Sequence, residues 1–226
     1  MPKIDYYINT YDYFCRLNNG PITDTVLDYG SNYGLFLHSS KNQFDEKNYT
    51  GIDVDLEAIE YGKSMFPKAT FIHYNKHNYM YNPQGQNLLW PCLDTTFDTI
   101  ISYSVITHTT VDDFINAVSW LYKHLNHNGK MFITYLDITN TFAKSFFYNK
   151  RVRDFGSCDE ITTEDYVYIV DNKVAIPNNN SMLLTFYNEN YLSKILSNYN
   201  FKLIQNFSNK AECFQDCIII KKPTAG

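Results

Sequence analysis

The stretch TVLDYGSNYG, residues 25–34, decides how this chain is read. Thr25, Val26 and Leu27 suit a buried strand and run into the acid Asp28. Gly30 and Gly34 follow, with three residues between them. In an open α/β sheet, ligands bind beyond the carboxyl ends of the strands. An acid at a strand tip favours a cationic or hydrogen-bond-donating ligand and repels a pyrophosphate laid on the loop. The glycines let a ligand approach the backbone, and the helix starting nearby offers free N–H groups.

Working outward, strand and helix patterns alternate from residue 25 to about residue 137. TVLDYG leads to a helix over YGLFLHSSKNQF, residues 33–44. YTGIDVD is a second strand, followed by a helix over LEAIEYGKSMF. ATFIHYN, FDTIISYS and GKMFITYLD are the third, fourth and fifth strands. Their nearly continuous apolar runs suit parallel strands covered on both faces. Before the fifth strand, Thr110 and Asp113 form a capping box. Phe114, Ile115, Val118, Leu121, Tyr122 and Leu125 then share one helical face, with Asn128 and Gly129 as the stop. This alternation argues for an open, doubly wound sheet.

After Asp137 the rhythm breaks. Residues 138–187 read as an α+β insertion over one end of the sheet, with a hairpin in VYIVDNKVAI turning at Asp171 and Asn172. Asn188 then caps a helix with Tyr191, Leu192, Ile195 and Leu196 on one face, and FKLIQNF and DCIIIKK close the chain as strands. Residues 1–226 form a single domain, with residues 1–20 as an N-terminal cap segment.

Bulk composition narrows the function. The 226 residues are 44% hydrophobic, enough for one full core. A net charge of -5 without a basic stripe argues against nucleic acid as a partner. No apolar run is long enough for a bilayer, and MPKIDYYINTYDYF is not a secretory signal. The expectation is a cytoplasmic protein, a monomer or homodimer. Cys15, Cys92, Cys158, Cys213 and Cys217 read as reduced thiols. Even Cys213 and Cys217 would lie about 13 Å apart along a strand. His38, His73, His77, His124 and His127 show no metal-ligand spacing, so no metal is expected.

A second acid, Asp53, ends the second strand in GIDVD and suits a ribose diol, since a carboxylate accepts two hydroxyl hydrogens. With Asp28 and the glycines in register on the neighbouring strand, the chain resembles the class I S-adenosylmethionine-dependent methyltransferases, in a small-molecule and sugar methyltransferase-like subgroup. VLDYGSNYG is similar to the first motif of that family, with Asn32 where the middle glycine usually stands. YTGIDVDLEAIEYGK is similar to the second motif, whose acid binds the ribose. FIHYN resembles the third strand, with Asn75 in place of the usual acid near the adenine amine. FDTIISYSVITHTT and LNHNGKMFIT resemble the fourth and fifth motifs, with His127 and Asn128 in place of the usual proline and first glycine.

The resemblance implies a Rossmann-like sheet of seven strands whose last strand is antiparallel and inserted between its two predecessors. It implies S-adenosylmethionine as cofactor, S-adenosylhomocysteine as product, and a donor site drawn from Asp28, Gly30, Ser31, Gly34, Asp53, Val54, Asn75 and Ser102. It also implies an N-terminal segment over the donor, with Tyr6 or Tyr7 facing the sulfonium. His108, just past the fourth strand, is the candidate general base, oriented by Asp112 or Asp113 unless those acids simply cap the helix. Tyr103, Arg151 and Arg153 are candidates for the substrate side, the arginines as a clamp for phosphate or carboxylate. The expected reaction is methyl transfer to a hydroxyl of a sugar, nucleotide sugar or phosphorylated polyol. The alternatives are N-methylation of a small amine, a nicotinamide-dependent oxidoreductase, and a non-catalytic S-adenosylmethionine-binding protein.

Overall fold

A computed structural model describes residues 9–86, 89–171, 182–198, 202–207 and 215–224; for 182, 198 and 202–207 it describes only the backbone. The chain enters through α1 (Thr10–Asn18), capped by the Asn9 side chain. It continues through β1 (Val26–Tyr29), α2 (Leu35–Ser40), β2 (Tyr49–Asp53), α3 (Leu56–Met65), β3 (Thr70–His73), β4 (Phe97–Ser102), α4 (Val111–Lys123) and β5 (Leu125–Asp137). The insertion supplies α5 (Thr141–Phe155), β6 (Cys158–Thr162), β7 (Tyr166–Asp171) and β8 (Met182–Tyr187). Then come α6 (Glu189–Asn198), β9 (Lys202–Phe207) and β10 (Asp216–Lys221).

Seven strands form the main sheet in the order β3-β2-β1-β4-β5-β10-β9. β1 through β5 run parallel, whereas β10 is antiparallel to both β5 and β9. Successive residues of these strands face opposite sides, and both sides are apolar. Leu27, Ile100, Ile133 and Ile218 pack with Phe114, Val118 and Leu121 of α4 and Leu192 and Leu196 of α6. Val26, Ile101, Phe132 and Ile219 pack on the other side with Tyr11 and Phe14 of α1, Phe36 of α2 and Ile59 of α3. Every parallel strand therefore ends at the same edge, and Asp28, Asp53 and the turn after Ser102 share it.

β5 carries the main sheet into the insertion. Its last residues, Leu136 and Asp137, pair in parallel with Phe186 and Tyr187 of β8. β8 pairs with β7, and β7 with β6, both antiparallel. β7 is thus a middle strand, with Val167 to Val170 bonded to β6 on one edge and to β8 on the other. Of the expected hairpin VYIVDNKVAI, residues 172–176, with the proposed turn residue Asn172, lie outside the described residues.

Two helices stop earlier than their patterns predict. α2 ends at Ser40 because Lys41 and Asn42 take φ values of 50° and 68°. α4 ends at Lys123, since Leu125 already pairs with Phe97 in the sheet. Asn128, read as the helix stop, instead takes φ 64° inside β5. The Asn188 cap is present, with its Oδ1 accepting from the Asn190 N–H at 2.9 Å. Among the described residues, Cys15, Cys92, Cys158 and Cys217 form no disulfide and no helix is long and apolar enough to cross a membrane.

Candidate active site

A cavity of about 890 Å³ opens at the carboxyl edge of the parallel strands. Asp28, Gly30, Ser31, Asp53, Val54, Tyr103 and His108 all line it. Asp28 is 4% exposed, and the Tyr49 hydroxyl donates to its Oδ2 at 2.6 Å. Burial pushes its carboxyl up to about 7, against the opposing pull of the Tyr49 hydrogen bond. A cation arriving there would restore the ionised form.

Asp53 organises the loop after β1. Its Oδ2 accepts the Asn32 N–H at 2.6 Å and its Oδ1 the Asp55 N–H at 2.9 Å. Burial still holds its pKa above the ordinary carboxylate value. Asn32 meets the loop geometry with φ 51°, a left-handed conformation that asparagine tolerates. Its Oδ1 accepts from the Tyr33 N–H, so the amide replaces the absent glycine without leaving a loose donor.

The expectation of free N–H groups in this loop is overturned. Gly30 and Ser31 both donate to the Ile52 carbonyl, and Gly34 and Leu35 both donate to the Ser31 carbonyl. The turn therefore presents no cradle for a pyrophosphate. The two glycines also serve packing more directly than ligand approach. At Gly30 (φ 82°), an added Cβ would lie 2.0 Å from Val105 Cγ2. Gly34 is not among the cavity residues, and a Cβ there would lie 2.9 Å from the Phe71 ring.

Asn75 is a further correction. Its Oδ1 accepts from Asn82 Nδ2 at 2.9 Å, and it does not line the cavity. Its neighbours do: Tyr74 and Lys76 reach the wall together with Trp90 and Asp113. Lys76 Nζ binds Asp113 Oδ1 at 2.6 Å and lies 5.3 Å from the Trp90 ring centre. Asp113 is thus held by Lys76 and by the Thr110 cap, and Asp112 is exposed. Neither acid orients His108.

A backbone carbonyl orients it instead. His108 Nδ1 lies 2.8 Å from the Leu183 oxygen, which only accepts, so Nδ1 carries the hydrogen. Nε2 is left with its lone pair, 3.3 Å from the Tyr81 hydroxyl. Burial pushes the imidazole down to about 4, and the charges of Arg151 and Lys150 act in the same direction. The ring is neutral at physiological pH with its acceptor nitrogen at the cavity.

Ser102 is 1% exposed and its Oγ has no partner among the described residues, but it does not line the cavity. The predicted arginine clamp is not formed. Arg151 is buried with Nη1 3.7 Å from Asp154, Arg153 projects into solvent, and neither reaches the cavity. Lys150 does. Tyr6 and Tyr7 lie outside the described residues; from α1, Thr10 and Phe14 join the wall. Lys76, Trp90, Tyr81 and Lys150 were missed from the sequence, although the aromatic-rich run YNKHNYMY, residues 74–81, was a visible signal.

A family model described as a methyltransferase domain matches residues 12–206. The fold is similar to that of the PH0226 protein from Pyrococcus horikoshii OT3, at 14% identity and a TM-score of 0.64, over 97% of this chain and 93% of that one. It is also similar to an S-adenosylmethionine-dependent methyltransferase from Clostridium acetobutylicum ATCC 824, at 15% identity and a TM-score of 0.57, over 97% and 93%. A third similar structure is the glycopeptide N-methyltransferase MtfA, at 12% identity and a TM-score of 0.59, over 97% and 92%.

Proposed function

The chain belongs to the methyltransferase-domain family, and on that premise we propose that it transfers a methyl group from S-adenosylmethionine to a hydroxyl of a small polar metabolite, such as a sugar, nucleotide sugar or phosphorylated polyol. The observation that carries this reading is one cavity shared by two strand-end acids, Asp28 and Asp53, and by the unprotonated Nε2 face of His108. Its volume of about 890 Å³ leaves room for a donor and a small acceptor together.

The residues fit such a donor. Each oxygen of Asp53 accepts one backbone N–H and keeps a second lone pair for a ribose hydroxyl. Asp28 offers a carboxylate to an ammonium or sulfonium, and Val54 supplies apolar wall beside Asp53. The donor supplies a methyl already activated by positive sulfur, so positioning accounts for much of the rate. A hydroxyl acceptor must also lose its proton, and on this reading His108 Nε2 takes it, with the Leu183 carbonyl supporting the ring through Nδ1. The loop after β1, with its N–H groups internally engaged, does not favour a dinucleotide and so weighs against the nicotinamide reading.

A second reading keeps the donor and replaces the hydroxyl with an amine that arrives neutral. It is favoured by the low His108 pKa of about 4, because such an acceptor needs no strong base. Turnover decides between the two. S-adenosylhomocysteine release is screened over sugar phosphates, nucleotide sugars and small amines. With a hydroxyl acceptor, His108→Ala should lower turnover about 10²–10⁴-fold with donor affinity retained. At saturating donor, where the titration of Asp28 no longer limits binding, the wild-type rate should be flat from pH 6 to 8 and fall only as pH drops towards 4, where the imidazole is protonated. A variant retaining more than about a third of wild-type turnover would remove His108 as base and favour the amine.

A further inference from the structure

We propose that the methyl acceptor carries an anionic group, phosphate or carboxylate, and that Lys150 on α5 is the residue that holds it; the proposal rests on the methyl-transfer reading above. The argument begins from the charges that line the cavity. Asp28, Asp53 and Asp55 stand at the β1 and β2 ends, and Lys76 is neutralised by Asp113 at 2.6 Å. Lys150 is the remaining cation among the described lining residues.

Its neighbours on α5 behave differently. Lys144 pairs with Glu160 at 2.5 Å, and Arg151 and Arg153 each approach Asp154 at 3.7 Å. Lys150, which reaches the cavity, has no hydrogen bond or ion pair among the described residues. A half-buried ammonium at the cavity wall, with no such partner among the described residues, is open to a ligand anion. Arg151 adds to the positive field from a buried position, its Nε without an acceptor among the described residues.

The location gives the charge a use. The positive charges of Lys150 and Arg151 both bear on the His108 ring, after burial the next influences that keep it neutral. An acceptor anchored by its anion at Lys150 therefore lies at the His108 end of the cavity. The acids at the β1 and β2 ends repel the same anion, so the molecule has one favoured orientation. A lysine suits this role as a mobile point charge that meets phosphate or carboxylate without a fixed fork geometry.

The test uses phenyl phosphate and benzoate as probes, with benzyl alcohol as the neutral control, followed by ligand-observed NMR titration of the whole chain. Wild type should bind at least one of the two anions more tightly than the alcohol, and which one distinguishes phosphate from carboxylate. Lys150→Met should weaken that binding about ten- to a hundredfold, the size of a lost charge-assisted hydrogen bond. Lys150→Arg should stay within a few fold of wild type, and Lys144→Met, which removes the same charge from the same helix, should leave binding unchanged. The proposal is overturned if neither anion binds, if Lys150→Met binds like wild type, or if Lys144→Met loses as much. Calorimetry with S-adenosylhomocysteine runs in parallel: failure there defeats the donor reading, and the anion titrations still decide Lys150.

Discussion

Replacing Asp28 with asparagine should stabilise the ligand-free protein above neutral pH. The carboxyl is 4% exposed, and burial moves it from 3.8 to about 7. At about 1.36 kcal/mol per pH unit, an ionised Asp28 costs the empty fold about 4 kcal/mol at alkaline pH. Because the folded pKa is raised, the folded state keeps a proton that the unfolded chain has released. Stability is therefore full below about pH 4, declines as pH rises towards 7, and levels off beyond it. Asparagine keeps an oxygen for the Tyr49 hydroxyl, now 2.6 Å from Asp28 Oδ2, but cannot ionise. Urea unfolding of both proteins from pH 5 to 9 measures the difference. Other titrating groups contribute to both curves and cancel. The advantage of Asp28→Asn should grow by about 2–3 kcal/mol between pH 5 and 8, a large part of a typical domain's stability. Parallel curves, within about 0.5 kcal/mol over that range, would refute the reasoning and return Asp28 to an ordinary ionised carboxylate. The same variant should bind S-adenosylhomocysteine less well, since its ammonium would lose a charged partner.

Asp53→Ala should weaken S-adenosylhomocysteine binding by about 1–3 kcal/mol in calorimetry, and unchanged affinity in a folded variant would defeat the ribose assignment. Gly30→Ala should lower the melting temperature, by an amount equivalent to about 1–3 kcal/mol, because its Cβ would lie 2.0 Å from Val105 at a φ of 82°. Val105→Ala in the same chain should recover part of the loss. Melting unchanged by Gly30→Ala alone would show that the turn relaxes freely.

The alternation that exposes the fold is local. Val26 and Leu27, Ile100 and Ile101, and Phe132 and Ile133 each send one side chain to each face, so a run of apolar residues marks a strand covered on both sides. The thirteen-residue amphipathic α4 and its Thr110 cap are legible for the same reason. Asp28 and Asp53 are legible because Asp53 ends β2 and Asp28 lies one residue before the end of β1, and parallel strands end at one edge. Helix ends were less legible: the stop at Lys123 depends on Leu125 pairing with Phe97, a partner far away in the chain. The place of β7 between β6 and β8 was not legible either, because a strand's partners on both edges are set by pairing across the sheet and not by the local turn signal at Asp171.

By itself the sequence determined the order of strands and helices, the two acids at the sheet edge and the placing of His108 beside them. Those follow from periodicity and strand polarity, which are properties of adjacent residues. Only the tertiary structure decided which polar groups are already engaged. Asn75 is taken by Asn82, Asp113 by Lys76, and His108 Nδ1 by Leu183, 75 positions along the chain. It also decided that Lys150, rather than Arg151 or Arg153, reaches the cavity. A hydrogen bond or an ion pair commits a side chain through distance and direction in space, and the residue letter records only that the group exists.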